Sequence, residues 1–62
     1  MKVYFVYRDF GYDGIDYLAV CSTLEKAKSI LKEDTKEFYK GVIDEYELDS
    51  TDEPRVVYEE EK

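Results

Sequence analysis

The sequence predicts an α+β fold, a small antiparallel sheet in β-β-α-β(β) order with one helix packed on one sheet face. Three segments point to it: an opening run, KVYFVYRD, dense in valine and aromatic residues; a Ser22-Thr23-Leu24-Glu25 helix entry; and a late run, VIDEYELD, that alternates between apolar and acidic residues. Residues 1–62 are expected to form a single domain, with residues 59–62 as a frayed acidic tail.

Lys2 to Asp9 reads as a strand. Val3, Phe5 and Tyr7 fall on one face and Tyr4, Val6 and Arg8 on the other, so both faces are largely apolar, as in an interior strand. FGYDG follows with two glycines and an Asp-Gly pair, which favour a tight reversal or a slightly larger irregular loop, and Tyr17 to Cys21 returns as a second strand. The helix should begin near Thr23, with the Ser22 hydroxyl accepting from an orphan amide and Glu25 returning a carboxylate to the cap. Leu24, Ala27 and Leu31, with Ile30 beside them, form the stripe that packs on the sheet, while Lys26, Lys28, Lys32 and Lys36 stay in solvent. Thr35 to Gly41 holds the helix end and a connection, with at least one ring of Phe38 and Tyr39 in the core.

Val42 to Asp49 forms the third strand, antiparallel and beside the first, with Tyr46 and Leu48 facing the helix and an acidic row facing out. Pro54 keeps a central strand out of the following loop, and Arg55 to Glu59 forms a short fourth strand. With the helix on one face, Tyr4, Val6, Leu18, Val20 and Ile43 are expected on the uncovered one. An apolar surface of that size marks an interface, for a homo-oligomer, in the first instance a dimer, or for a partner bound across the sheet, with Tyr58 as a further contact; the alternative is that strand curvature and the C-terminal segment cover much of it. Among the seven tyrosines, Tyr7, Tyr17 and Tyr46 are expected to be structural and Tyr4, Tyr12 and Tyr58 to be partner contacts; Tyr39 fits either role.

Charge is distributed unevenly. Residues 1–43 carry seven acids and seven bases, whereas residues 44–62 carry nine acids against Arg55 and Lys62, so the net charge of −7 is a property of the C-terminal third. Asp44, Glu45, Glu47, Asp49, Asp52 and Glu53 could present carboxylates to a basic host protein, or simply keep a sheet edge soluble. Direct nucleic-acid binding is not expected, because the helix lysines alternate with Glu25, Glu33, Asp34 and Glu37. A membrane span or leader is not expected either, since the opening apolar run is short and meets Arg8 and Asp9, and the cytoplasm is the expected location.

No enzyme chemistry is expected. The chain has no histidine, no Cys-X-X-Cys pair and no phosphate loop, and its one cysteine, Cys21, reads as a small buried hydrophobe. Asp9, Asp13 and Asp16 flank a glycine loop but lack the spacing and terminal glutamate of a calcium loop, so neither a metal nor a cofactor is expected.

The aromatic opening strand, CSTLEKAKSIL and VIDEYELD together resemble a small family of uncharacterised bacterial and bacteriophage proteins. In that family a Ser-Thr entry to a charged Lys-Ala helix precedes an Ile-Asp-x-Tyr-x-Leu-Asp strand. Ser22, Thr23, Lys26 and Ala27 match the helix entry, and Ile43, Asp44, Tyr46, Leu48 and Asp49 the late strand, over much of residues 3–49. The chain departs from the pattern in its short helix-to-strand segment and its acidic tail. What the resemblance implies is a phage or mobile-element context. The expected function is then a small acidic protein-binding module, an inhibitor of a host nucleic-acid-binding or defence protein; alternatives are a structural homo-oligomer or assembly component, and a small ligand- or metal-binding protein.

Overall fold

A computed structural model describes all 62 residues. Strands β1 (Lys2–Asp9) and β2 (Ile15–Cys21) form a hairpin; helix α1 (Leu24–Glu33) follows, then β3 (Lys40–Glu47) and β4 (Arg55–Glu61). All neighbours are antiparallel in the order β2-β1-β3-β4, so the apolar opening strand is interior and pairs with β3 as the sequence predicts. The hairpin reverses through a 3-10 turn, Gly11–Asp13, in which Gly11 and Gly14 take φ of 72° and 92°, a region open to residues without a Cβ. Asp9 Oδ1 accepts the Gly11 amide at 2.8 Å, and the Phe10 amide donates to the Gly14 carbonyl at 2.9 Å.

The helix starts one residue later than a Ser22 cap would place it. Thr23 is the N-cap, and its Oγ1 accepts from the Lys26 amide at 3.2 Å. Glu25 remains in the first turn, where a carboxylate suits the positive end of the helix dipole. The expected stripe is the one that packs: Ala27 and Leu31 are fully buried, and Leu24 and Ile30 pack at their margin.

The sheet presents the opposite face to the helix from the one expected. Val6 and Ile43 are fully buried against Ala27, Leu31 and Tyr39, with Tyr4, Leu18, Cys21, Val57 and Tyr58 packed around them. Tyr46 therefore lies on the far face, in register with Val3, and Leu48 lies beyond the end of β3, exposed. Close approach decides the matter. Gly41 shares the Ile43 face, and a Cβ there would come 2.8 Å from Leu31 Cδ2, so the helix settles over a gap between side chains. Val6, Gly41 and Ile43 lie beneath the helix, while the rings of Phe5, Tyr7, Tyr17 and Tyr46 cluster on the far face.

A polar clamp fixes the other end of the helix. Arg8, on the helix side of β1, donates from Nε and Nη2 to the two carboxylate oxygens of Asp34 at 2.8 and 2.9 Å and from Nη1 to Asp16 at 2.7 Å. The Tyr39 hydroxyl donates to the same Asp34 carboxylate, and the Lys62 ammonium donates to the Leu31 and Asp34 carbonyls, capping the helix C-terminus. Residues 59–62 are accordingly not a frayed tail. Glu59 to Glu61 belong to β4, and Lys62 exchanges backbone hydrogen bonds with Phe38 and Tyr39, each at 2.9 Å. Of the two linker rings, Tyr39 enters the core and Phe38 stays 89% exposed at φ 67°.

Candidate interaction surface

Three strands put rings on the face away from the helix. Phe5 and Tyr7 alternate on β1, Tyr46 joins them from β3, and Tyr17 joins them from β2, where it pairs with Tyr7. The Phe5 ring lies 4.5 Å from Tyr46 and 6.4 Å from Tyr17 between centroids, and Tyr7 lies 5.6 Å from Tyr17, all in tilted or edge-on geometry. The Tyr7 hydroxyl donates to Asp44 Oδ1 at 3.3 Å. Burial and the neighbouring Asp44 charge push that phenol up to about 12.

Charge divides this face into two halves. On the β1–β2 side a shallow depression is lined by Phe5, Tyr17, Leu18, Ala19 and Val20 alone, with Ile15 at the end of the strand. Asp16 is turned to the helix side, where Arg8 holds it. On the β3–β4 side Asp44 and Glu59 flank Val42 and Val56, and Lys40 is paired with Glu59 at 3.6 Å. Val20 and Val56, one in each half, are 59% and 51% exposed.

Of the six residues expected at the interface, Val20 is exposed here and Leu18 lines the depression while packing on the core from a bulge in β2. Val6 and Ile43 are core, and Tyr4 and Tyr58 are on the helix side. Tyr4 donates to Glu45 Oε2 at 3.1 Å; Tyr58 donates to Glu60 Oε1 at 3.3 Å and carries the Lys28 ammonium 4.9 Å over its ring. The rings expected to be structural, Tyr7, Tyr17 and Tyr46, are the ones on the open face. Their signal in the sequence is the second apolar set of the opening strand, Val3, Phe5 and Tyr7, in step with Tyr46.

The six acids do not form one row. Glu45, Glu47, Asp52 and Glu53 line a groove of about 560 Å³ at one end of the sheet together with Lys2 and Arg55; Asp44 is on the opposite face, and Asp49 lies in the turn after β3 at φ 56°. Within the groove Glu45 is largely neutralised, with Arg55 Nη2 at 3.2 Å and Lys2 Nζ at 3.5 Å. Burial opposes its ionisation, but the Tyr4 hydrogen bond and the two cations outweigh it and hold the carboxyl below its ordinary value. Glu47 pairs with the Met1 amino group at 3.1 Å.

The loop acids also have separate partners, Gly11 for Asp9 and Arg8 for Asp16. No cluster of three or more His, Cys, Asp or Glu side chains is placed to hold a metal ion, and no helix is long and apolar enough to cross a membrane. Asp34 is the most perturbed acid. The Arg8 hydrogen bonds hold it far below the usual carboxylate range against the opposing effect of burial, with Tyr39 assisting, and burial beside that carboxylate raises Tyr39 to about 12. Every member of this clamp is hydrogen-bonded within the fold, tying β1 to the end of the helix and to the segment that leads into β3.

No curated protein and no solved structure matches the chain. A family model, described as a domain of unknown function (DUF7336), matches residues 1–55, which takes in the hairpin, the helix, β3 and the acidic loop, and the chain belongs to that family.

Proposed function

We propose that the chain is a small acidic protein-binding module that works through the open sheet face. The observation that carries this reading is the uncovered ring cluster of Phe5, Tyr7, Tyr17 and Tyr46, bordered by exposed Val20 and Val56. Aromatic rings that keep an apolar body and a polar tip are well suited to partner contacts, and Tyr is enriched at binding hot spots. On the β3–β4 half, Asp44 and Glu59 beside the exposed Val56 suit a partner whose surface mixes lysine or arginine with apolar side chains. In its specific form the module occupies such a surface on a host nucleic-acid-binding or defence protein, with the net charge of −7 speeding encounter.

The test is capture of proteins from source-cell lysate by the tagged chain, compared with Val56→Lys and with Asp44→Asn. A basic protein held by the wild type, released by salt and lost with either substitution is the expected result. Capture that is the same for wild type, Val56→Lys and Val20→Lys would remove the open face from the account.

A further inference from the structure

We propose that the β1–β2 half of the open face is the seat of a second copy of this chain, resting on the assignment of that face as the interaction surface. The two sheets pack face to face about a two-fold axis running between β1 and β2. The β2 strand of each copy then lies over β1 of the other, Val20 meets the partner's Phe5 and Tyr17 the partner's Tyr7, and the β3–β4 halves project to opposite sides.

Charge selects this occupant. In a molecule of net charge −7, two copies repel unless they meet where neither is charged. The depression formed by Phe5, Tyr17, Leu18, Ala19 and Val20 has no carboxylate, ammonium or guanidinium in its lining; Asp16 is on the other face in its pair with Arg8, and Asp9, the one acid of β1 on this face, sits at the strand end beside Ile15, where its carboxylate accepts the Gly11 amide. A basic partner would gain no charge pairing there, whereas a like-charged copy loses nothing. The opposite edge of the sheet is unsuitable for self-association, since β4 carries Glu59, Glu60 and Glu61 in succession and charged edges resist pairing. The two-fold arrangement keeps Asp44 and Glu59 of one copy away from those of the other, because each set lies beyond the overlap.

Size sets the strength. The molecule measures 34 × 24 × 14 Å, so a whole sheet face is comparable to the roughly 800 Å² that each partner gives to a standard interface, and overlap of half the face gives about half of that, below the standard size and in the class of weak, transient contacts. The dimer is therefore reversible and concentration-dependent. Its free β3–β4 halves make it bivalent toward a basic partner, which raises avidity without any new contact.

Sedimentation equilibrium of the purified chain over a concentration series tests this, with Val20→Lys and Val56→Lys as a matched pair, since both side chains are exposed on the same face and each variant's fold is checked by circular dichroism. The expected result is a monomer–dimer equilibrium for the wild type and for Val56→Lys, not weakened by added salt, and loss of the dimer for Val20→Lys. A wild type that stays monomeric to the highest concentration, or a dimer that survives Val20→Lys and is lost in Val56→Lys, overturns the proposal. Lysate capture that still depends on Val56 would then leave the interaction module standing without the dimer.

Discussion

Gly41 lies directly beneath Leu31. A methyl group added at Gly41 would come 2.8 Å from Leu31 Cδ2 and 3.1 Å from Cδ1, with the Glu60 carbonyl at 3.5 Å closing the other side. The absence of that methyl lets the helix descend onto the Val6–Ile43 face, and it thereby decides which face of the sheet is left open.

Gly41→Ala should destabilise the fold by about 1–3 kcal/mol through overpacking, and Leu31→Ala by about 2–5 kcal/mol through loss of a buried side chain. The double variant should cost less than the sum, because each change makes room for the other. A denaturant-melt cycle over the four proteins reads the coupling directly, and strict additivity would separate the two residues.

The helix cap gives a paired prediction. Thr23→Ala removes the acceptor of the Lys26 amide and should cost about 1 kcal/mol, whereas Ser22→Ala should fall within about 0.5 kcal/mol of wild type. Equal losses in urea melts would restore Ser22 to the cap.

Loss of the Arg8–Asp34 clamp should be felt at the helix C-terminus. Asp34→Asn leaves Arg8 facing a neutral amide and removes an acceptor of the Tyr39 hydroxyl, and should lower Tm by roughly 5 °C or more. Amide exchange should quicken first at Leu31 to Asp34, where Lys62 and the clamp close the helix.

Stability should fall at both ends of the pH scale. Asp34 has a depressed pKa in the folded state, so its contribution is full above the ordinary aspartate value of about 4 and is lost as acid drives pH down toward the folded value. Tyr7 and Tyr39 are raised from 10.0 to about 12, so theirs is full below pH 10 and is lost as pH rises from 10 through about 12. Tyrosinate absorbance followed alongside circular dichroism should show late-titrating phenols that ionise together with unfolding, and Tyr39→Phe should remove one of them.

The element order was legible because local signals agree: a β-rich opening, glycine reversal, a threonine cap before a spaced apolar stripe, and an alternating late strand. Which face meets the helix was not legible, because both parities of the opening strand are apolar, and the deciding features join residues far apart in the chain, Gly41 with Leu31 and Arg8 with Asp34. The register shifts opposite Val6/Tyr7 and at Ile43/Asp44 change parity partway along β2 and β4, so alternation counted from one end of either strand misplaces Leu18 and Val57. The same inversion moved the candidate site. Val6 and Ile43 went to the core and Phe5, Tyr7, Tyr17 and Tyr46 to the open face, with Val20 retained there and Leu18 shared between the depression and the core. The end of the chain reads as frayed in the sequence because Glu59 to Lys62 look like solvated charge, while their order comes from the β3 ladder and from the helix carbonyls that Lys62 caps.

The open aromatic face is the centre of the account, and solvent paramagnetic relaxation by an inert nitroxide on labelled protein tests it most directly. At low protein concentration the Val20 methyls and the Phe5, Tyr17 and Tyr46 rings should broaden while Val6, Ala27 and Ile43 stay sharp, and at high concentration Val20 and Tyr17 should become protected. Broadening of Val6 and Ile43 with Phe5 and Tyr46 protected would put the helix on the other face and contradict the account.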